Sequence, residues 1–221
     1  MDKYAAIQYV LDKCIVAVVR ADSAAKSGGE ELSRVVEAVA AGGVQCIEVT
    51  MTTPGALECI ETASRNLAGA DVLLGVGTVL DSETCRMAIL AGAQYVVTPT
   101  LSIPVIQMAR RYGKPVFAGA YTPTEILTAW ENGADFVKVF PASIGGPDYI
   151  KALKGPLPQV PLVPTGGVEL DNIGAFLKAG ASALGVGGNL VSKKLLAARD
   201  YKGLTENAKR FANAVCAARA T

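Results

Sequence analysis

The sequence predicts a (β/α)8 TIM barrel with an extra N-terminal helix and a C-terminal helix. Three observations predict it. Eight short apolar runs alternate with helical stretches along 221 residues. A glycine-containing helix ending recurs just before a run, at Ala41-Gly42-Gly43, Ala91-Gly92-Ala93, Asn132-Gly133-Ala134 and Ala179-Gly180-Ala181. The composition is 51% hydrophobic and 19% charged, which suits parallel strands buried on both faces. Strand–helix alternation implies right-handed crossovers, and eight such units imply closure. The alternative is an open doubly wound sheet. Its dinucleotide-binding form needs GxGxxG after the first strand, where Arg20-Ala21-Asp22-Ser23 stands. Residues 1–221 are therefore read as a single barrel domain.

The elements follow in order. Residues 2–13 form a helix ahead of the barrel. The strands are Ile15–Arg20, Cys46–Thr50, Leu73–Gly77, Tyr95–Thr98, Val116–Gly119, Phe136–Phe140, Leu162–Pro164 and Ala183–Gly187. Helix starts are marked by capping residues and first-turn acids at Asp81-Ser82-Glu83, Thr122-Pro123-Thr124-Glu125 and Glu169-Leu170-Asp171-Asn172. Residues 203–219 close the chain as an amphipathic helix with Leu204, Ala208, Phe211, Ala212 and Val215 on one face.

Composition excludes several functions. Lys+Arg is 21 against Asp+Glu 20, so there is no basic excess to bind nucleic acid. The apolar runs Ile15–Val19 and Leu73–Leu80 are too short or too interrupted to span a bilayer, which takes about 20 residues. No signal-peptide core follows Met1-Asp2-Lys3-Tyr4. Five cysteines without a CxxC fit a reducing, cytoplasmic setting, with Cys14 and Cys46 as core residues. The chain has no histidine, which removes His triads, His bases and His metal ligands. No metal cluster has workable spacing, so no metal or other cofactor is expected. Trp130 reads as helix packing rather than a stacking platform.

Barrel chemistry gathers at the C-terminal ends of the strands. Three charges lie in or end apolar runs. Lys138, in Phe136-Val137-Lys138-Val139-Phe140, is stripped of water there, which favours the neutral amine. Such an amine attacks carbonyls and forms a Schiff base. The competing reading is a lysine paired to a carboxylate for structure. Glu48, in Cys46-Ile47-Glu48-Val49-Thr50, suits general acid/base work, or serves only as that ion-pair partner. Arg20 ends the first run and suits two-point binding of a carboxylate or phosphate, or a salt bridge to Glu48.

Glycine turns complete the set. Pro164-Thr165-Gly166-Gly167-Val168 and Gly185-Val186-Gly187-Gly188-Asn189 follow the seventh and eighth runs, where barrels commonly hold phosphate on backbone N–H groups. Tight-turn geometry alone would also account for them. Gly75-Val76-Gly77-Thr78 lets the backbone approach a ligand and offers a hydroxyl, and Pro99 in Thr98-Pro99-Thr100 walls the pocket; either is also a plain turn. With no metal, a lysine iminium is the usual electron sink.

Together these residues resemble the 2-keto-3-deoxy-6-phosphogluconate (KDPG) / 4-hydroxy-2-oxoglutarate aldolase family, from Ile15 to about Val191. The resemblance is carried by Gly133-Ala134-Asp135-Phe136-Val137-Lys138-Val139-Phe140-Pro141-Ala142 and Pro164-Thr165-Gly166-Gly167-Val168. Ile47-Glu48-Val49-Thr50, Gly75-Val76-Gly77-Thr78-Val79-Leu80 and Thr122-Pro123-Thr124-Glu125 support it. It implies a class I aldolase, usually trimeric, acting on a phosphorylated keto acid through a covalent lysine imine. By motif, it makes Lys138 the Schiff-base lysine and Glu48 the acid/base. Thr78 then contacts the pyruvyl carboxylate and Thr165 lies near the aldehyde-side carbons. Gly166, Gly167, Gly188 and Asn189 hold the distal phosphate.

The sequence departs from the family at two places. Asn189 stands where Ser is frequent, and Met51-Thr52-Thr53 replaces a stretch in which many members carry a carboxylate-gripping Arg. Carboxylate binding would then rest on Arg20, Thr78 and backbone N–H groups. Alternatives are a 2-keto-3-deoxy-6-phosphogalactonate or 4-hydroxy-2-oxoglutarate aldolase, a sugar-phosphate epimerase or isomerase without covalent intermediate, and a non-catalytic phosphosugar-binding barrel.

Overall fold

A computed structural model of the protein describes residues 1–20 and 28–220. The Ala21-Asp22-Ser23 stretch lies outside the described residues. The chain opens with α1 (Lys3–Lys13), then β1 (Ile15–Val19), α2 (Gly28–Ala41), β2 (Cys46–Thr50), α3 (Ala56–Asn66) and β3 (Leu73–Gly77). It continues through α4 (Ser82–Leu90), β4 (Tyr95–Val97), α5 (Ile103–Arg111), β5 (Val116–Ala120), α6 (Pro123–Glu131) and β6 (Phe136–Val139). The last units are α7 (Gly146–Lys154), β7 (Leu162–Pro164), α8 (Ile173–Lys178), β8 (Leu184–Val186), α9 (Lys193–Ala197) and α10 (Tyr201–Arg219). All eight predicted strands are present, with ends shifted by no more than one residue; Arg20, Thr98, Phe140, Ala183 and Gly187 fall just outside them.

The eight strands are parallel and run in the order β7-β6-β5-β4-β3-β2-β1-β8. A parallel bridge between Thr165 and Gly185 joins the two ends of that row, so the sheet closes on itself. Every strand residue is buried, as the unbroken apolar runs require.

Strand alternation divides the apolar side chains between two cores. One lies between strands and helices and takes in Val19, Ile47, Val76, Val96, Val139, Ile60, Ile106 and Phe211. The other fills the barrel interior with Val16, Cys46, Leu73, Tyr95, Val97, Phe117, Phe136, Val163 and Ala183. Ala6 and Val10 of α1 join the interior cluster, so the extra N-terminal helix plugs the end of the barrel where the strands begin. Asp2 caps α1, Tyr9 donates to the Asp71 carbonyl, and Lys3 pairs with Asp135 at 2.8 Å, fixing the plug to the loops around it. The opposite end is left for chemistry.

The helix signals hold locally. Gly43, Gly92, Gly133 and Gly180 all take positive φ after their helices, where a side chain is sterically costly. Thr122 and Glu125 form a complete capping box on α6, and Asp81 caps α4. α8 starts later than Glu169-Leu170-Asp171-Asn172 indicates, because the Asn172 side chain turns back to accept from Glu169 N–H and donate to the Gly167 carbonyl. α10 buries Leu204, Ala208, Phe211 and Val215, while Ala212 is half-buried. Trp130 packs against the outer core, as its helical setting implies. Among the described residues no helix is long and apolar enough to cross a membrane.

Candidate active site

Register sets the site. Glu48 on β2 pairs with Val18 on β1 and Gly75 on β3, and Lys138 on β6 pairs with Gly119 on β5 and Val163 on β7. Both side chains point into the barrel near its open end. Lys138 Nζ lies 3.8 Å from Glu48 Oε1, within ion-pair range but beyond a hydrogen bond. Their side chains are only 8% and 2% exposed, so neither charge is dissipated into bulk water. Burial pushes the Glu48 carboxyl up from its usual value, while the charges of Lys138 and Arg20 pull it back down. The net direction is upward, giving a carboxyl that holds its proton more readily than a surface glutamate.

The glycines of Gly75-Val76-Gly77 have a use different from the expected approach of backbone to ligand. A Cβ on Gly77 would fall 2.5 Å from Glu48 Oε1, so this glycine vacates the space that the carboxylate occupies. Gly185 does the same for Thr165, whose Oγ1 would lie 2.2 Å from such a Cβ.

Above the pair is a cavity of about 310 Å³. Arg20, Thr78, Pro99, Lys138, Thr165, Gly166, Gly167, Gly188 and Asn189 all line it. Glu48 does not; it sits behind the lysine and reaches the cavity through it. Arg20 is exposed on the cavity wall, and the ion-pair partner of Glu48 among the described residues is Lys138, not Arg20. Thr78 holds a φ of 58°, a strained conformation for a β-branched residue, at the end of β3. Pro99 is fixed by Thr98, whose buried hydroxyl donates to the Thr100 carbonyl and accepts from Gly119 N–H. At the end of β2, Thr50 Oγ1 lies 3.1 Å from the Thr52 hydroxyl and 3.2 Å from the Thr53 hydroxyl.

The far lip of the cavity is glycine backbone. Gly166 and Gly167 have φ of 84° and 80°, so turn geometry does demand glycine at both. Gly188 differs: a Cβ there would meet nothing within 4 Å. Asn189 Nδ2 donates to the Val168 carbonyl at 3.1 Å, tying the turns after β7 and β8 together. The amide expected to bind phosphate is thus engaged as a strut between the two turns.

Sequence reasoning did not assign several wall residues to the site: Val18, Phe140, Val191 and Lys193, and Val168, Gly185 and Gly187 of the turns after β7 and β8. Phe140 places its ring centroid 5.4 Å from Lys138 Nζ. Val18 also lines the cavity. Both were accessible from strand alternation, since Phe140 is two residues beyond Lys138 and Val18 two before Arg20. Lys193, at the start of α9, also lines the cavity, and nothing in its local sequence marks it. Cys46, by contrast, is core: burial pushes its thiol up to about 12, far from a nucleophilic thiolate. Among the described residues no three His, Cys, Asp or Glu side chains gather as a metal site would need.

The sequence model for KDPG and KHG aldolase matches residues 7–207. The chain belongs to this aldolase family. It is accordingly an aldehyde-lyase of the KDPG aldolase type. The 2-dehydro-3-deoxy-phosphogluconate aldolase of Treponema pallidum is 38% identical over 178 residues, 80% of this chain and 83% of that protein. The 2-dehydro-3-deoxy-6-phosphogalactonate aldolase of Escherichia coli is 38% identical over 156 residues, 70% of this chain and 76% of that protein. A KDPG aldolase from Legionella pneumophila, solved with pyruvate captured as a covalent carbinolamine, has a TM-score of 0.81 at 25% identity, covering 92% of this chain and 96% of that one.

Proposed function

We propose that this aldolase cleaves 2-keto-3-deoxy-6-phosphogluconate to pyruvate and glyceraldehyde 3-phosphate through a Schiff base on Lys138. The observation that carries the reading is the buried Lys138–Glu48 pair, 3.8 Å apart, at the base of a cavity whose far lip is glycine backbone. One end offers a nucleophile and a proton carrier; the other offers donors for an anion.

In this mechanism the Lys138 amine attacks the C2 ketone and gives a carbinolamine. Glu48 supplies the proton with which the hydroxyl leaves as water, and the iminium forms. The Glu48 carboxylate, directly or through water, then takes the proton of the C4 hydroxyl. The C3–C4 bond breaks, its electrons pass into the iminium, and the aldehyde departs from an enamine. Protonation at C3 and attack of water on the iminium release pyruvate and restore the amine. Arg20, Thr78 and neighbouring N–H groups hold the carboxylate. Thr165 stands beside the aldehyde-side carbons and Pro99 forms a wall. The N–H groups of Gly166, Gly167, Gly188 and Asn189 hold the phosphate. The lysine imine is the electron sink, so the cycle needs no metal or other cofactor.

The 6-phosphogalactonate epimer is the second reading, favoured by the identity to the Escherichia coli enzyme. The two substrates differ at C4, where Glu48 acts. Pyruvate release in a lactate dehydrogenase-coupled assay, run with both phosphorylated epimers and unphosphorylated 4-hydroxy-2-oxoglutarate, separates them. The expected order of kcat/KM places the gluconate epimer first; a higher value for either of the others overturns the assignment. The free cysteines support a reducing cytoplasmic setting for this reaction.

A further inference from the structure

Two buried polar atoms have no hydrogen-bond partner among the described residues: Glu48 Oε1 and Tyr95 Oη. Buried hydroxyls rarely go unpaired, and each exception asks for a reason. Packing supplies none here. The Tyr95 ring lies 5.3 Å from Phe117, which stacks on Phe136 at 4.4 Å; both neighbours fill the same interior layer without a hydroxyl.

The register supplies one. Glu48 pairs with Gly75, and Gly75 pairs with Tyr95, so the three form one row across β2, β3 and β4. A Cβ on Gly75 would lie 2.4 Å from both Cε1 and Cζ of Tyr95. The phenol end of the ring therefore passes over Gly75, the residue between Tyr95 and Glu48. Only glycine at position 75 permits this crossing. The field of Glu48 is felt at the Tyr95 hydroxyl, second only to burial in disfavouring the phenolate, so the hydroxyl stays a proton donor. The terminal torsion of a glutamate is soft, so the carboxylate turns at little cost.

We propose that Tyr95 is a positioning residue for the acid/base carboxylate: its hydroxyl, carried across Gly75, donates to Glu48 when the carboxylate turns from Lys138 during turnover. This rests on the aldolase reading above. The charges acting on Glu48 are Lys138 from β6 and Arg20 beyond β1; Tyr95 from β4 shares its row, and Cys46 on the strand of Glu48 acts on Tyr95. Lys138 is consumed as an imine during the reaction, and Arg20 is exposed at the rim. The buried hydroxyls of Thr50, Thr98 and Thr165 are engaged elsewhere, and Tyr95 is the buried uncharged donor whose hydroxyl has no partner among the described residues.

The test is the pH profile of kcat for Tyr95→Phe. Loss of a donor to the charged form makes the carboxyl a weaker acid, so the acidic limb moves to higher pH. At neutral pH kcat falls about tenfold, the equivalent of one charge-assisted hydrogen bond, with KM within about twofold. The melting temperature stays level or rises, because an unpaired buried hydroxyl is removed. In a Glu48→Gln background Tyr95→Phe changes the residual rate little, since Tyr95 acts through Glu48. Fluorotyrosine at position 95, a stronger donor of nearly the same size, shifts the limb to lower pH, and this arm decides the matter if Tyr95→Phe is poorly folded. A Tyr95→Phe profile and kcat equal to those of the parent protein overturn the proposal, as does an unmoved limb with fluorotyrosine. Absence of cleavage and of a trapped pyruvyl adduct in the parent protein would instead strike the aldolase reading itself.

Discussion

At the residue scale the site is a compromise between burial and charge. Glu48 is 2% exposed and lies against a cation, and burial still outweighs the cation in setting its acidity. This gives a prediction with a definite sign. Lys138→Met removes a charge that lowers the Glu48 carboxyl, so the folded-state value rises further above the usual 4.5. A raised folded value contributes stability fully present below the unfolded value and lost as pH rises through the folded one. The melting temperature of Lys138→Met should therefore drop away from the parent's as pH rises from acid to neutral. At neutral pH the loss is about 3–5 kcal/mol, the range for a buried pair left half-made. Melts across that range check it, and a pH-independent gap contradicts it. Lys138 and Glu48 were legible in the sequence because a charge inside an unbroken apolar run has nowhere to go but the interior. The seat that Gly77 provides for Glu48 was not, since it depends on the register of β2 against β3, which sets Gly77 opposite Thr50 and so diagonal to Glu48.

At the element scale, strands were legible to within a residue, and most helix ends to within one or two, because each signal is local: an apolar run, a left-handed glycine, a capping side chain. What neighbouring turns do to each other is not local. The Asn189 side chain ties the turn after β8 to Val168, and no spacing in the sequence announces that bond. Gly166 and Gly167 mix backbone geometry with any binding role, so their substitution is uninformative. Gly188 separates the two, because a Cβ there meets nothing within 4 Å. Gly188→Ala should leave the melting temperature unchanged. It should raise KM for a phosphorylated substrate about tenfold, through about 1.4 kcal/mol of lost anion contact, and spare an unphosphorylated one. Steady-state kinetics on both, with a melt, check this; equal effects on both substrates would remove the phosphate from this lip.

At the scale of the whole molecule, α1 closes the end of the barrel where the strands begin, and the cavity opens at the end where they finish. The fold class was readable from eightfold repetition, but closure rests on the long-range contact between Thr165 and Gly185, which repetition only implies. The surface carries exposed apolar side chains on and beside one helix: Leu80 at 62%, Met87 at 49% and Leu90 at 63%. We propose the homotrimer that the family resemblance implies, with these side chains in contact between subunits. Light scattering on the purified protein should return three times the monomer mass, and Leu90→Asp should lower it. A monomer at micromolar concentration contradicts the assembly.

The central claim is that Lys138 bonds covalently to the keto acid. Borohydride reduction in the presence of pyruvate, followed by peptide mass spectrometry, tests it most directly. The account predicts a single reduced pyruvyl adduct on the peptide containing Lys138, absent when pyruvate or borohydride is omitted and absent in Lys138→Ala. Cleavage activity retained in full by Lys138→Ala, or an adduct confined to another lysine, would contradict it.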